Sequence, residues 1–262
     1  SCLCYVRNWR RRLHMTTIKK WLQSYALFIA ASIIVLLGVE CIVHQEIVPS
    51  YILPAPSNVI VAIFSDWRPL ILEHLSMTML EFAIGFTVSV VGGVSLAVSM
   101  FFSRTIEKLM YPAVLISQTI PIIALSPIFV LWFGYTIWSK VAVTILISFF
   151  PVVVGTFDGL RSTDKEYVEL LRSMGATKKH LFQKLYFPSA LPSFFSGLKI
   201  AIVSALIGAT IGEWLGASQG LGYYSRRMSG NLNAEGVFAA ITLLSIAGMM
   251  LFSIVTILEK RF

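Results

Sequence analysis

Four ionisable side chains, Glu40, Glu81, Lys199 and Glu213, fall inside otherwise apolar stretches of the sequence. A charge at the centre of a bilayer costs about 2.5 to 3.5 kcal/mol on insertion scales, so each of these groups needs a reason to be there. A carboxyl at mid-depth can carry a proton or hold a cation, but all four lie toward the ends of their stretches. Lys199 reaches an aqueous end by snorkelling. Glu40 reads as interfacial, and Glu81 as a paired or hydrated group rather than a proton carrier. Glu213 reads either as a hydrated interface residue or as a polar wall of a substrate vestibule. The four histidines, His14, His44, His74 and His180, are scattered, with no H-E-x-x-H pair. Cys2, Cys4 and Cys41 have neither metal-ligand spacing nor a disulfide framework. No G-x-x-x-x-G-K phosphate loop is present. The expectation is a chain with no catalytic residue, no metal and no bound cofactor of its own.

The elements that position these groups follow from composition. Of 262 residues, 56% are hydrophobic and 13% charged, and the mean hydropathy is +0.79. That is a polytopic membrane protein rather than a soluble domain. Windows of about 20 apolar residues, enough to cross roughly 30 Å of hydrocarbon, fall near 22–43, 78–102, 110–133, 138–157, 190–216 and 235–258. The expected fold is all-α with six transmembrane helices. The net charge of +8 is explained by the positive-inside rule rather than by nucleic acid. With the N-terminus inside, sixteen Lys and Arg fall on the cytoplasmic side and four outside, with Lys199 within a helix. Both termini are therefore expected in the cytoplasm. The expected organisation is a cytoplasmic segment 1–21, a transmembrane domain 22–258 with an external segment 45–76 and a cytoplasmic loop 158–189, and a tail 259–262. The basic run before Met15 reads as an upstream extension, and the first span as retained rather than cleaved.

Within the spans, small residues and prolines set the pattern. Gly197, Ala201, Ala205 and Ala209 recur every fourth residue, as do Gly208, Gly212, Gly216 and Gly220. Such spacing lets helix backbones approach closely. Ser89, Gly93 and Ala97 form a similar stripe in the second span, a plausible partner for the fifth, within one subunit or between two. Pro121 and Pro127 each remove a backbone hydrogen bond in the third span, predicting a kink that lines a cavity or shapes packing. In the external segment, Pro56 followed by Ser57 and Asn58 predicts a short surface helix over 58–64.

Between 165 and 188 the chain turns polar. Thr163 or Asp164 caps a short helix to Met174, Gly175 supplies a turn, and a second helix runs from about Thr177 to Leu185 until Pro188 ends it. Tyr167, Leu170, Leu171 and Met174 share one side of the first helix, the pattern of an amphipathic element that docks into a groove on another protein.

The spacing Glu169-Leu-Leu-x3-Gly175-x9-Leu185-Tyr-Phe187-Pro188 resembles the E-A-A-x3-G-x9-I-x-L-P loop of permease subunits in bacterial ATP-binding-cassette importers. Leu170 and Leu171 replace the two alanines, and Leu185 and Phe187 replace the Ile and Leu, all keeping apolar character. Leu53-Pro-Ala-Pro-Ser57, the run from Ile120 to Gly134 and the run from Gly212 to Gly222 are similar to the nitrate, sulfonate, taurine and pyrimidine-precursor branch. Phe149-Phe-Pro-Val-Val-Val, Asp158-Gly-Leu-Arg-Ser and Ser193-Phe-Phe-Ser-Gly-Leu-Lys-Ile-Ala201 look most like permeases for hydroxymethylpyrimidine-type thiamine precursors. The chain departs from many relatives at Glu81, where they carry a basic residue.

The resemblance implies a type I importer permease fold in the bacterial inner membrane. It also implies a homodimer, two cytoplasmic ATPase subunits that use ATP and Mg, an external substrate-binding protein, and no enzymatic step on this chain. The ATPase-coupling residues it implies are Glu166, Glu169, Leu170, Leu171, Met174, Gly175, Ala176, Leu185 and Pro188. For the translocation path the candidates are Gln118, Pro121, Pro127, Trp132, Gly208, Gly212 and Glu213. Trp132, Trp214, Tyr223 and Tyr224 are placed either to stack on a pyrimidine or to form an interfacial belt. Two other classes fit less well. An ion-driven secondary transporter calls for titratable groups at mid-depth and often an inverted repeat, and a membrane-embedded enzyme for a catalytic cluster.

Overall fold

A computed structural model describes residues 26–261. The N-terminal expectations, namely the segment 1–21, the start at Met15, Cys2, Cys4, His14 and the first four residues of the first span, lie outside the described residues. Among the described residues every regular element is helical. The chain divides into two units, Ser1–Val61 and Ala62–Phe262.

In the first unit, α1 (Ala26–His44) is the first apolar span. Its Glu40 carboxylate accepts the backbone N–H and the hydroxyl of Ser57 at 3.1 and 2.5 Å. Ser57 belongs to the first turn of α2 (Pro56–Ser65). Glu40 thereby satisfies a helix N-terminus whose N–H groups lack internal partners, a more specific role than an interfacial charge.

The second unit contains α3 (Ser76–Phe102), α4 (Arg104–Ser117), α5 (Ile122–Phe133) and α6 (Ile137–Arg161), followed by α7 (Lys165–Ser173) and α8 (Lys178–Leu181). Then come α9 (Phe187–Gly216), α10 (Leu221–Gly230) and α11 (Ala234–Glu259). A wide helical turn, Arg68–Leu75, leads directly into α3, so the second span is helical from Arg68, ten residues before its apolar window begins. Among the described residues five helices are long and apolar enough to cross a membrane, and the α4–α5 pair makes up to six. That pair is bent by 102°. The break falls at Ile120, which the following proline pushes out of the helical region, and at Pro121, whose extended backbone (ψ 111°) starts α5. Pro127 lies inside α5 without interrupting it.

At the centre of this unit α6 lies between α3 and α9. The glycines explain the closeness. A Cβ on Gly197 would stand 2.5 Å from Pro151 O, one on Gly155 2.8 Å from Gly197 Cα, and one on Gly93 2.9 Å from a Val152 methyl. Ser148 Oγ donates to Ser89 Oγ at 2.7 Å. The stripes of the second and fifth spans therefore do not meet each other as expected; both press on α6. Phe82, Phe195, Ile202 and Val255 join α3, α9 and α11 in one apolar cluster, and Met100, Val114 and Phe157 join α3, α4 and α6 in another.

Candidate coupling loop and translocation groove

The loop between α6 and α9 is built from caps. Asp164 Oδ1 accepts from Glu166 N at 3.0 Å to open α7. Gly175 closes it with φ +83°, while Ala176 N reaches back to Leu171 O at 3.0 Å. That left-handed residue, followed by a bond that reaches five residues back, is the helix stop for which glycine is suited. Thr177 Oγ1 then accepts from His180 N at 3.3 Å to open α8.

The expected end at Pro188 does not occur. The chain continues through a wide turn, Phe182–Tyr186, in which Phe187 N bonds Phe182 O five residues back, and runs on into α9 with Pro188 in its first turn. The extra residue per turn accommodates a ring that would collide with the carbonyl of an ordinary helix.

Val168 anchors α7 inward, while Tyr167, Leu170 and Met174 are exposed and Leu171 is half-buried. Glu166 and Glu169 face solvent, Leu185 is half-buried, and Pro188 is exposed. Met174, Gly175, Ala176, Leu171, His180 and Lys184 line a cleft of about 310 Å³. An exposed apolar edge beside a small cleft, flanked by carboxylates, has the make-up of a docking surface.

The path candidates fall into two groups. Gln118, Pro121, Pro127 and Trp132 are exposed along the α4–α5 bend. Gly208, Gly212 and Glu213 are buried, the glycines so tightly that an added Cβ would come within 2.8 Å of Thr144 Cα and 2.9 Å of Lys140 Cα. Glu213 Oε1 accepts from Thr78 Oγ1 at 2.6 Å, and its Oε2 accepts from Gly222 N at 2.5 Å. Leu221 N donates to Thr78 Oγ1 at 2.9 Å and Gly220 N to His74 Nδ1 at 3.1 Å. Gly220 has φ +110° and sits directly on the Glu213 carboxylate, leaving no room for a Cβ. Glu81, 1% exposed, lies beside Glu213, and Lys140 donates to the carbonyls of Tyr135 and Thr136 at 3.2 and 2.9 Å.

This cluster fastens the 217–222 connection onto α3 and α9. Sequence reading singled out Glu81 and Glu213 but not their convergence with His74, Thr78 and Lys140, which come from elements far apart in the chain. The available signal was their polarity next to apolar windows. Outside the spans, Tyr224 donates to Asp66 Oδ2 at 3.3 Å. Burial first, then the Asp66 charge, pushes its hydroxyl up to about 12.

Beyond its cluster with Val255 of α11, the face of α9 turned away from α6 is open. With α11, α10 and Ile123 of α5 it frames a groove of about 1050 Å³. Its walls are apolar apart from Thr210, Ser225, Ser229, Ser245 and Ser253, and carry the rings of Trp214 and Phe252.

Residues 89–262 match the family model described as binding-protein-dependent transport system inner membrane component. The chain belongs to that family. The permease is 50% identical over 80% of its length to the formylaminopyrimidine transport permease protein ThiX of Halalkalibacterium halodurans, covering 84% of that protein. It is 29% identical over 82% of its length to a putative aliphatic sulfonates transport permease protein SsuC of Bacillus subtilis, covering 78% of it. Its fold matches a crystal structure of an amino acid ABC transporter with histidines at a TM-score of 0.63, with 16% identity, over 77% of this chain and 98% of that one. The permease is thus a multi-pass inner-membrane component of an ABC importer, with the type I importer permease fold.

Proposed function

We propose that this permease imports a formylaminopyrimidine-type thiamine precursor. The observation that carries the reading is its 50% identity to ThiX along four-fifths of the chain. The permease works as a homodimer and receives cargo from an external binding protein. The segment 165–188 engages two ATPase subunits on the cytoplasmic side, and those subunits bind and use ATP and Mg. The orientation rests on the charge asymmetry, sixteen basic residues against four, and on the positive-inside rule. The docking role rests on the exposed Tyr167, Leu170 and Met174 edge and on the resemblance of 169–188 to the importer loop. ATP-driven closure of the ATPases moves the short helices as rigid bodies, alternating outward and inward openings of the bundle.

Two measurements test this. Uptake of labelled formylaminopyrimidine by proteoliposomes holding permease, ATPase and binding protein must exceed uptake of an alkyl sulfonate, and the reverse ranking overturns the cargo. Gly175→Asp, or deletion of 166–176, must abolish co-purification with the ATPase while membrane insertion persists. Undiminished binding overturns the docking role.

A further inference from the structure

We propose that the groove between α9 and α11 is the permease's cargo-reading surface, in which Thr210, Ser225 and Ser245 accept hydrogen bonds from the N–H groups of a flat, uncharged heterocycle. The inference rests on the formylaminopyrimidine reading and adds the residues that recognise the ring.

The argument begins with where the hydroxyl protons go. Thr210 Oγ1 donates to Leu206 O at 2.8 Å, Ser245 Oγ to Ile241 O at 2.9 Å, and Ser225 Oγ to Gly222 O at 3.3 Å. Each hydroxyl has one proton and two lone pairs. With the proton committed to its own helix, each presents the groove with an acceptor. These acceptors come from three different elements, α9, α10 and α11, and interrupt an otherwise apolar wall. The Trp214 ring adds a flat face and one N–H donor, and an Arg226 guanidinium bonded to the Trp214 carbonyl ties α10 to α9 beside it.

Charge narrows the occupant. Among the described residues no ionisable side chain lines the groove. The cations around it are engaged elsewhere: Arg226 on the Trp214 carbonyl, Lys199, 5.9 Å from the Phe252 ring, on Glu259, and Lys140, on the other face of α9, on the Tyr135 and Thr136 carbonyls. A sulfonate or nitrate requires several donors or a cation to replace its water, and the groove supplies neither. An aminopyrimidine needs the converse: acceptors for its amino hydrogens, a face to stack on and an apolar surround. The groove's 1050 Å³ is ample for a single ring with its substituents. The two buried glycines among the expected path residues, Gly208 and Gly212, lie on the α6 side of the same helix, so recognition is shifted to the face that carries Thr210.

The test uses the complete importer in proteoliposomes. Formylaminopyrimidine is compared with an analogue whose exocyclic amino group is replaced by hydrogen. The variants are Thr210→Val and Ser245→Ala, singly and together. Ser99→Ala serves as a control, since Ser99 on α3 bonds Ser95 O in the same way but lies off the groove. Each groove variant is expected to lower kcat/KM for the amino compound about tenfold, the loss of one hydrogen bond. Uptake of the desamino analogue and binding-protein-stimulated ATP hydrolysis should hold within about twofold. Equal losses for both compounds would mark a packing defect and overturn the proposal. Unchanged uptake of both would mean that lipid or a second copy of the chain occupies the groove, and would also overturn it. If the unaltered importer fails to take up formylaminopyrimidine at all, the cargo reading itself fails, a result separable from the other two.

Discussion

The Thr78 hydroxyl and the Glu213 carboxylate meet at 2.6 Å in a site that is 0% exposed at both residues, joining α3 to α9. The same hydroxyl receives Leu221 N, and the same carboxylate receives Gly222 N, so one pair of side chains closes two helix ends and a loop. Thr78→Val leaves a buried carboxylate short of a donor, at a cost of about 1 to 3 kcal/mol. Thermal unfolding in detergent should show Thr78→Val and Glu213→Gln each destabilising. The double variant should lose less than their sum, since the two act as one unit. Strict additivity would mean that the bond contributes nothing.

Close packing around α6 makes a graded prediction. Gly197→Val drives a side chain into Pro151 O and Gly155 Cα, backbone that cannot step aside, and should abolish recovery of folded protein. Gly230→Ala, where an added Cβ meets nothing within 4 Å, should be silent. Folded yield by size-exclusion chromatography separates the two.

Lys199 Nζ lies 2.5 Å from Glu259 Oε2, fixing the last residue of α11 to α9. Both side chains are partly exposed, so the pair contributes about 1 kcal/mol. Lys199→Glu should lower thermal stability, and adding Glu259→Lys should restore most of it. Equal instability of the single and double variants would exclude the pair as the cause.

Tyr224 supplies a pH prediction. Its folded-state value near 12, against an ordinary 10.0, means the folded form holds the proton more tightly than the unfolded chain. Its contribution is fully present below pH 10 and falls as pH rises from about 10 toward 12. Thermal unfolding between pH 8 and 11 should show a downward slope above pH 10 that is shallower in Tyr224→Phe. An unchanged slope would assign the alkaline instability to other groups.

Much of the fold was legible because membrane insertion imposes a strong local code. Length and apolarity of each window located the spans, and Asp164, Gly175 and Thr177 announced the caps of the coupling loop by residue type alone. Two features resisted for a shared reason. The proline at 188 reads as a stop, yet a neighbouring wide turn absorbs it, and no local signal distinguishes the two outcomes. The small-residue stripes declared that close neighbours exist without saying which. Only the three-dimensional arrangement shows that both press on α6, leaving the other face of α9 for the groove. The meeting of His74 and Thr78 with Gly220 and Leu221, nearly 150 residues further along, is a tertiary event that periodicity does not encode.

The wide turn at Phe182–Tyr186 has a mechanical consequence. Because it carries the chain past Pro188 without a break, Lys178–Gly216 is one helix of 39 residues, about 58 Å long at 1.5 Å per residue. Thr177, at its foot, and Thr210, in the groove, belong to the same shaft. A torque applied at α8 would therefore reach the groove face of α9 as rotation, with no break in the helix between.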